Sequence, residues 1–232
     1  MPYRRLPNTN QARLRSLQTA VNMGECVDIY ELAFSYKNWE EAKVLLQRYE
    51  LALRENKRCI ETQTKSNKRI QESAKTARLY ISHFIQVLNM CVQRNEIRAD
   101  YKEFYGLEPS NFALPDLNSD DSLIEWGDKI IRGEQMRMSK GGTPIYNPAI
   151  AKVRVHYDIF SEEYNNLRVL QNNTTRSFEV ISELNKKADK LILLIWDEVE
   201  KKYGNLGLTP SQRIESCKEY GLIYYYRKGE KE

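Results

Sequence analysis

The chain has 232 residues, 41% of them hydrophobic and 29% charged, with a net charge of +4. That balance supports a packed core and excludes a disordered chain. The longest apolar run, from Leu191 to Trp196, stops at Asp197, far short of the ~20 residues a membrane span needs, and the charged start of the chain has no apolar segment behind it as a signal peptide would.

The first feature in chain order is a basic arm. Arg4, Arg5, Arg13 and Arg15 are the only charged residues in positions 1–24. Arginines clustered in this way bind phosphate backbones. They can equally face the acidic stretch of Asp116, Asp120, Asp121, Glu125 and Asp128, which contains no base. A first helix is predicted from Asn10 to Met23, with Leu14, Leu17 and Val21 on one face and Gly24 at its end.

Positions 25–105 contain neither Gly nor Pro, which favours long helices. Trp39, Ala42, Leu46, Tyr49, Leu53, Asn56 and Ile60 step alternately by three and four residues, and so do Ile70, Ala74, Ala77, Ile81, Phe84, Leu88 and Cys91. Such spacing lays one apolar seam along each helix. An unbroken helix over 38–104 would run about 100 Å at ~1.5 Å per residue and leave its seam uncovered. A hairpin is therefore predicted, with the Ser and Thr residues of 62–67 capping its second arm. Gly106 followed by Leu107 closes the segment.

A further helix is predicted from Asp121 to about Met138, with Leu123, Trp126, Ile130 and Ile131 on one face. After it the two seams recur at a constant offset of 111, as Ile150, Val153, Tyr157, Phe160, Tyr164, Leu167 and Gln171, then Ile181, Asn185, Ala188, Ile192, Ile195, Val199 and Lys202. The register fails only at Asn185 and the helix ends. A second hairpin is expected, turning at 173–177, broken near Gly204 and followed by a short helix from about Ser211. Lys218-Glu219-Tyr220-Gly221-Leu222 repeats the earlier ending. The expected architecture is all-α. One domain, 1–232, holds repeat one at about 10–107 and repeat two at about 121–222, and its two duplicated long helical hairpins form a four-helix bundle with short additional helices.

Chemistry is sparse. Cys26, Cys59, Cys91 and Cys217 have no metal-ligand spacing. The two histidines, His83 and His156, correspond to leucines in the other repeat and fall in no Glu-x-x-His motif. No catalytic residue, metal site or cofactor is assigned. The loop at 133–148 is the exception. The amides of Gly141 and Gly142, the cations of Arg137 and Lys140, and the Tyr146 hydroxyl form a candidate anion site. Asn147 and Pro148 in the same loop also suit a helix N-terminus. The tyrosine-rich tail Tyr224-Tyr225-Tyr226-Arg227-Lys228 offers stacking faces beside charge.

Two runs, Pro2-Tyr3-Arg4-Arg5-Leu6-Pro7-Asn8-Thr9 and Gly141-Gly142-Thr143-Pro144-Ile145-Tyr146-Asn147-Pro148, resemble an uncharacterised bacterial family of helical-bundle proteins, along the whole chain. The resemblance implies a cytoplasmic bacterial protein of this fold and transfers no site residues. The expected function is that of a non-catalytic interaction or scaffold protein, self-associating or joined to a protein partner, with no membrane role. The alternatives are nucleic-acid binding through Arg4, Arg5, Arg13 and Arg15, and small-anion binding at 133–148.

Overall fold

The computed structural model of the chain describes residues 3–226. In order they form β1 (Tyr3–Arg4), α1 (Asn10–Cys26), α2 (Tyr36–Gln93), a 3-10 helix (Ala99–Tyr105), α3 (Asp120–Ser139), α4 (Ile150–Gly204), α5 (Pro210–Glu219) and β2 (Tyr224–Tyr225). The only sheet among the described residues is the antiparallel β1–β2 ribbon. The chain is all-α, as its periodicity predicts.

The predicted hairpin turns are absent. Helix α2 runs unbroken for 58 residues through 62–67, and α4 for 55 residues through 173–177. The hydroxyl groups expected to cap new helices bond back onto their own. Thr64 donates to the Ile60 carbonyl at 2.8 Å, and Ser177 to the Thr174 carbonyl at 2.7 Å. Mid-helix Ser and Thr commonly do this, and it leaves no free N-terminal amides to cap. The long seams are covered in another way. The chain divides into two compact units, one made of residues up to Cys59 and from Thr174 onward, the other of Ile60–Asn173. Each unit holds part of α2 against part of α4.

In the first unit these parts run antiparallel. Asn38 Nδ2 donates to Glu198, Tyr49 Oη to Asn185 Oδ1, and Asn56 Nδ2 to Ser177 Oγ, so α4 numbers fall as α2 numbers rise. Helix α1, capped by Thr9, lays Leu17, Ala20 and Val21 on this pair. There they meet Ala42 and Leu45 of α2 and Ala188, Leu191 and Ile192 of α4. Gly24 does not end α1, which continues to Cys26. It lets the helix approach Trp39, whose ring would lie 2.2 Å from any Cβ added there. The expected break after Gly204 is present, and Thr209 and Gln212 form a capping box that starts α5.

In the second unit Ser73 Oγ donates to Glu163, and Tyr80 stacks on His156, again in antiparallel order. The core contains Ala77, Ile81, Phe84, Val153 and Phe160, closed by Leu123 and Ile130 of α3 and by Tyr105. Gly106, at φ +69°, ends the 3-10 helix as expected. Helix α4 starts at Ile150, later than Asn147 and Pro148 suggest. The Ala149 carbonyl accepts its first hydrogen bonds, from Lys152 and Val153.

Candidate functional site: two grooves between the long helices

The core seam of α2 in the first unit is Ala42, Leu45 and Tyr49, all buried. A second stripe on the same helix, shifted around its circumference, carries Val44, Arg48, Leu51 and Glu55. Heptad spacing makes these neighbours along one face. With Ser177, Val180 and Leu184 of α4, three of these four residues and Ala52 line a groove of about 380 Å³. Its floor is apolar and its apolar walls are open to water: Leu51 is 64% exposed, Val180 51% and Val44, in the adjoining hollow, 48%. Isolated exposed aliphatics are ordinary on any surface, whereas here several surround one groove.

The second unit has a groove at the corresponding place, of about 310 Å³, with different chemistry. Arg69, Glu72, Ser73 and Thr76 of α2 face His156, Ile159 and Glu163 of α4. At the 111-residue offset Ala52 becomes Glu163, Val180 becomes Arg69 and Leu184 becomes Ser73. Ser73 gives its proton to the Glu163 carboxylate rather than to His156, whose ring stacks 4.2 Å from Tyr80. This is not the nucleophile–base order that covalent catalysis needs.

The residues suggested for an anion site at 133–148 separate. Arg137 turns inward and is 1% exposed. Its Nη2 donates to Glu134 Oε1 at 2.7 Å and to the Thr143 carbonyl at 2.8 Å, and its Nε donates to Glu134 Oε2 and Tyr105 Oη, each at 2.9 Å. Tyr105 in turn donates to Glu134. Burial pushes the Tyr105 hydroxyl well above its ordinary range, and the Glu134 carboxylate pushes it further. Burial pulls the Arg137 guanidinium down, but its bonds to Glu134 and Tyr105 outweigh this and leave it raised. Gly142 lies against the Arg137 side chain, with no room for a Cβ. Lys140 Nζ sits over the Phe104 ring, 4.3 Å from its centroid. Gly141, at φ +83°, and Tyr146, 82% exposed, face outward. Glu134 is the member of this cluster that sequence reasoning missed, and its i, i+3 spacing to Arg137 is the only signal for it.

The basic arm also has internal partners. Arg4 Nη1 reaches Asp197 at 2.7 Å and Glu200 at 3.3 Å, and Arg13 forks onto Asp189 at 2.7 and 2.9 Å. These acids belong to α4, not to the 116–128 stretch. Arg5 and Arg15 are exposed. The ribbon pairs Tyr3 with Tyr225 and Arg4 with Tyr224, so it brings the arm and the tyrosine tail together. A hollow of about 430 Å³ opens there, lined by Arg4, Arg5, Leu6 and Tyr225. Arg227 and Lys228 lie outside the described residues.

Among the described residues no group of three or more His, Cys, Asp or Glu side chains is placed to hold a metal, and no helix is long and apolar enough to cross a membrane. No protein-family model, curated protein or solved structure matches the chain.

Proposed function

We propose that this chain is a non-catalytic interaction protein whose docking face is the apolar groove of the first unit. The observation that supports it is the exposure of Val44, Leu51 and Val180 around a floor of Ala52 and Leu184. A groove between two helices suits a third helix that inserts aliphatic side chains at i, i+3 and i+4. Helix α1 already covers the Ala42 and Leu45 side of the same pair in this way.

The test uses a fluorescent leucine-rich amphipathic helical peptide and protein diluted until it is monomeric. Anisotropy should rise with the native chain and not with a Leu51→Glu, Val180→Glu variant of unchanged helicity. Equal binding by both, or none by the native chain, removes the reading.

The same proposal includes a duplication. Short helix, long helix, short helix occurs twice in chain order, and α2 and α4 end 111 residues apart, at Gln93 and Gly204. We read the duplicated element as one long helix with its flanking short helices. The four-helix bundle then needs a further pair of helices laid on a groove. All four cysteines are free thiols, which agrees with a cytoplasmic setting.

A second reading draws on the ribbon, where exposed Arg5 lies beside Tyr225 and Tyr226, both partly open to water. Single-stranded nucleic acid binds such pairs of cation and stacking face. It predicts a salt-sensitive gel shift lost on Arg5→Ala with Tyr225→Ala, and no shift at low salt removes it.

A further inference from the structure

We infer that the apolar groove is occupied by the same groove of a second copy of this chain, joined across a two-fold axis with the two α2 helices antiparallel. The inference rests on the reading of that groove as a docking face and names the partner. It is carried by the order of side chains along the groove. On α2, Leu51 and Ala52 form the apolar centre. Arg48 lies one turn to one side, and Glu55 one turn to the other. A two-fold axis exchanges positions equidistant from it. An axis between Leu51 and Ala52, perpendicular to the helix, therefore sets Arg48 of each copy against Glu55 of the other. The pair forms twice, and no like charges meet.

Helix α4 obeys the same axis. Its level is fixed by the Tyr49–Asn185 and Asn56–Ser177 hydrogen bonds. Residues 51 and 52 of α2 then stand beside the stretch of α4 between Val180 and Leu184. The two-fold sets Val180 of each copy against Leu184 of the other. Leu51, Ala52, Val180 and Leu184 are thus covered by their own counterparts, with two ion pairs at the rim. Two helices from each copy make four in all, a four-helix arrangement in which each pair covers the groove of the other while α1 covers its opposite side. The groove of the second unit lacks this order. At the 111-residue offset Arg48, Leu51 and Glu55 become Ile159, Glu162 and Asn166, so an axis there would bring carboxylates to the centre and no opposite charges to the ends.

The experiment is sedimentation velocity on the full chain, native and with Arg48→Glu or Glu55→Arg. Both side chains are exposed, so the variants keep the fold. The native chain should dimerise at concentrations of about 10–100 µM, and each variant should associate about tenfold or more weakly. An equimolar mixture of the two variants should recover the dimer, because every rim contact in the mixed pair joins opposite charges. A native chain that stays monomeric, variants that associate as the native chain does, or a mixture that fails to recover would each overturn the inference. A monomer that still binds the amphipathic peptide at Leu51 and Val180 would leave the docking face standing with a different partner.

Discussion

Glu134 and Arg137 form an ion pair, 2.7 Å from Oε1 to Nη2, with both side chains almost wholly removed from water. Each charge needs the other, since an isolated buried ion is far costlier than a paired one. Arg137→Met leaves the Glu134 carboxylate with Tyr105 alone, and should lower stability by about 3–5 kcal/mol. Adding Glu134→Leu should restore part of that loss, because an apolar pair is tolerated where a lone charge is not. Urea unfolding of the single and double variants measures both. A single variant as stable as the native chain would contradict the account.

A second prediction concerns the one interior failure of the repeated seam, where Asn185 stands in place of Ala74. Asn185 Oδ1 accepts the proton of the fully buried Tyr49 hydroxyl at 2.5 Å, and its Nδ2 donates to Asn10 Oδ1 at 3.1 Å. Asn185→Leu continues the seam by pattern alone but leaves the Tyr49 hydroxyl only its longer hydrogen bond to Asn10 Oδ1, at 3.3 Å, and takes from Asn10 the Asn185 amide donor. It should cost about 1–3 kcal/mol in the same assay. The pairing Tyr49→Phe, Asn185→Leu should cost less than the two single changes together.

These two cases show what the sequence makes legible. The seams, the start of α1 at Asn10, the Gly106 closure and the break after Gly204 all follow from local chemistry, and they are present. The polar partner of Tyr49 appears in the sequence only as a defect in a period, because it lies 136 residues away along the chain. The predicted hairpin fails for the opposite reason. Thr64 and Ser177 have capping chemistry, but their hydroxyls are satisfied within the helix, and an antiparallel partner covers the seam that a rod alone would expose. The groove is harder still to read. Val44 and Leu51 sit among Glu41, Arg48 and Glu55, and an outward stripe diluted by charge resembles any solvated face.

Gly133 supports a third prediction. An added Cβ would lie 2.5 Å from the Tyr105 ring and 2.8 Å from the Phe104 carbonyl oxygen. The oxygen belongs to the backbone and cannot swing aside. Gly133→Ala, which helix propensity alone would favour, should instead destabilise by about 1–3 kcal/mol. Gly141→Ala touches nothing within 4 Å, so its cost should come only from the strain of φ +83°. Thermal unfolding of the two variants separates collision from backbone strain. A Gly133→Ala chain that melts higher than the native one would show that α3 can move away from Tyr105.

The last prediction is a pH dependence. Tyr105, Tyr203 and Tyr224 are all raised above the ordinary tyrosine value of 10, in each case first by burial. Tyr105 and Tyr224 are raised further by hydrogen bonds to Glu134 and Glu200. In the folded chain these hydroxyls keep their protons at a pH where the unfolded chain releases them. Folding is therefore linked to proton retention, and its stability must fall as pH rises. The contribution is fully present below the unfolded value and is lost progressively from about pH 10 upward. Melting temperatures should hold across neutral pH and then drop steeply, and the tyrosinate absorbance of these three residues, read as the difference between the native chain and each Tyr→Phe variant, should appear together with unfolding rather than before it. Tyr105→Phe should flatten the alkaline limb, because it removes one of the protons that folding retains, while Glu134 keeps its pairing with Arg137. If tyrosinate absorbance from all three residues appeared while the chain remained folded, their hydroxyls would be open to water and the account of a sealed Tyr105–Glu134–Arg137 cluster would fail.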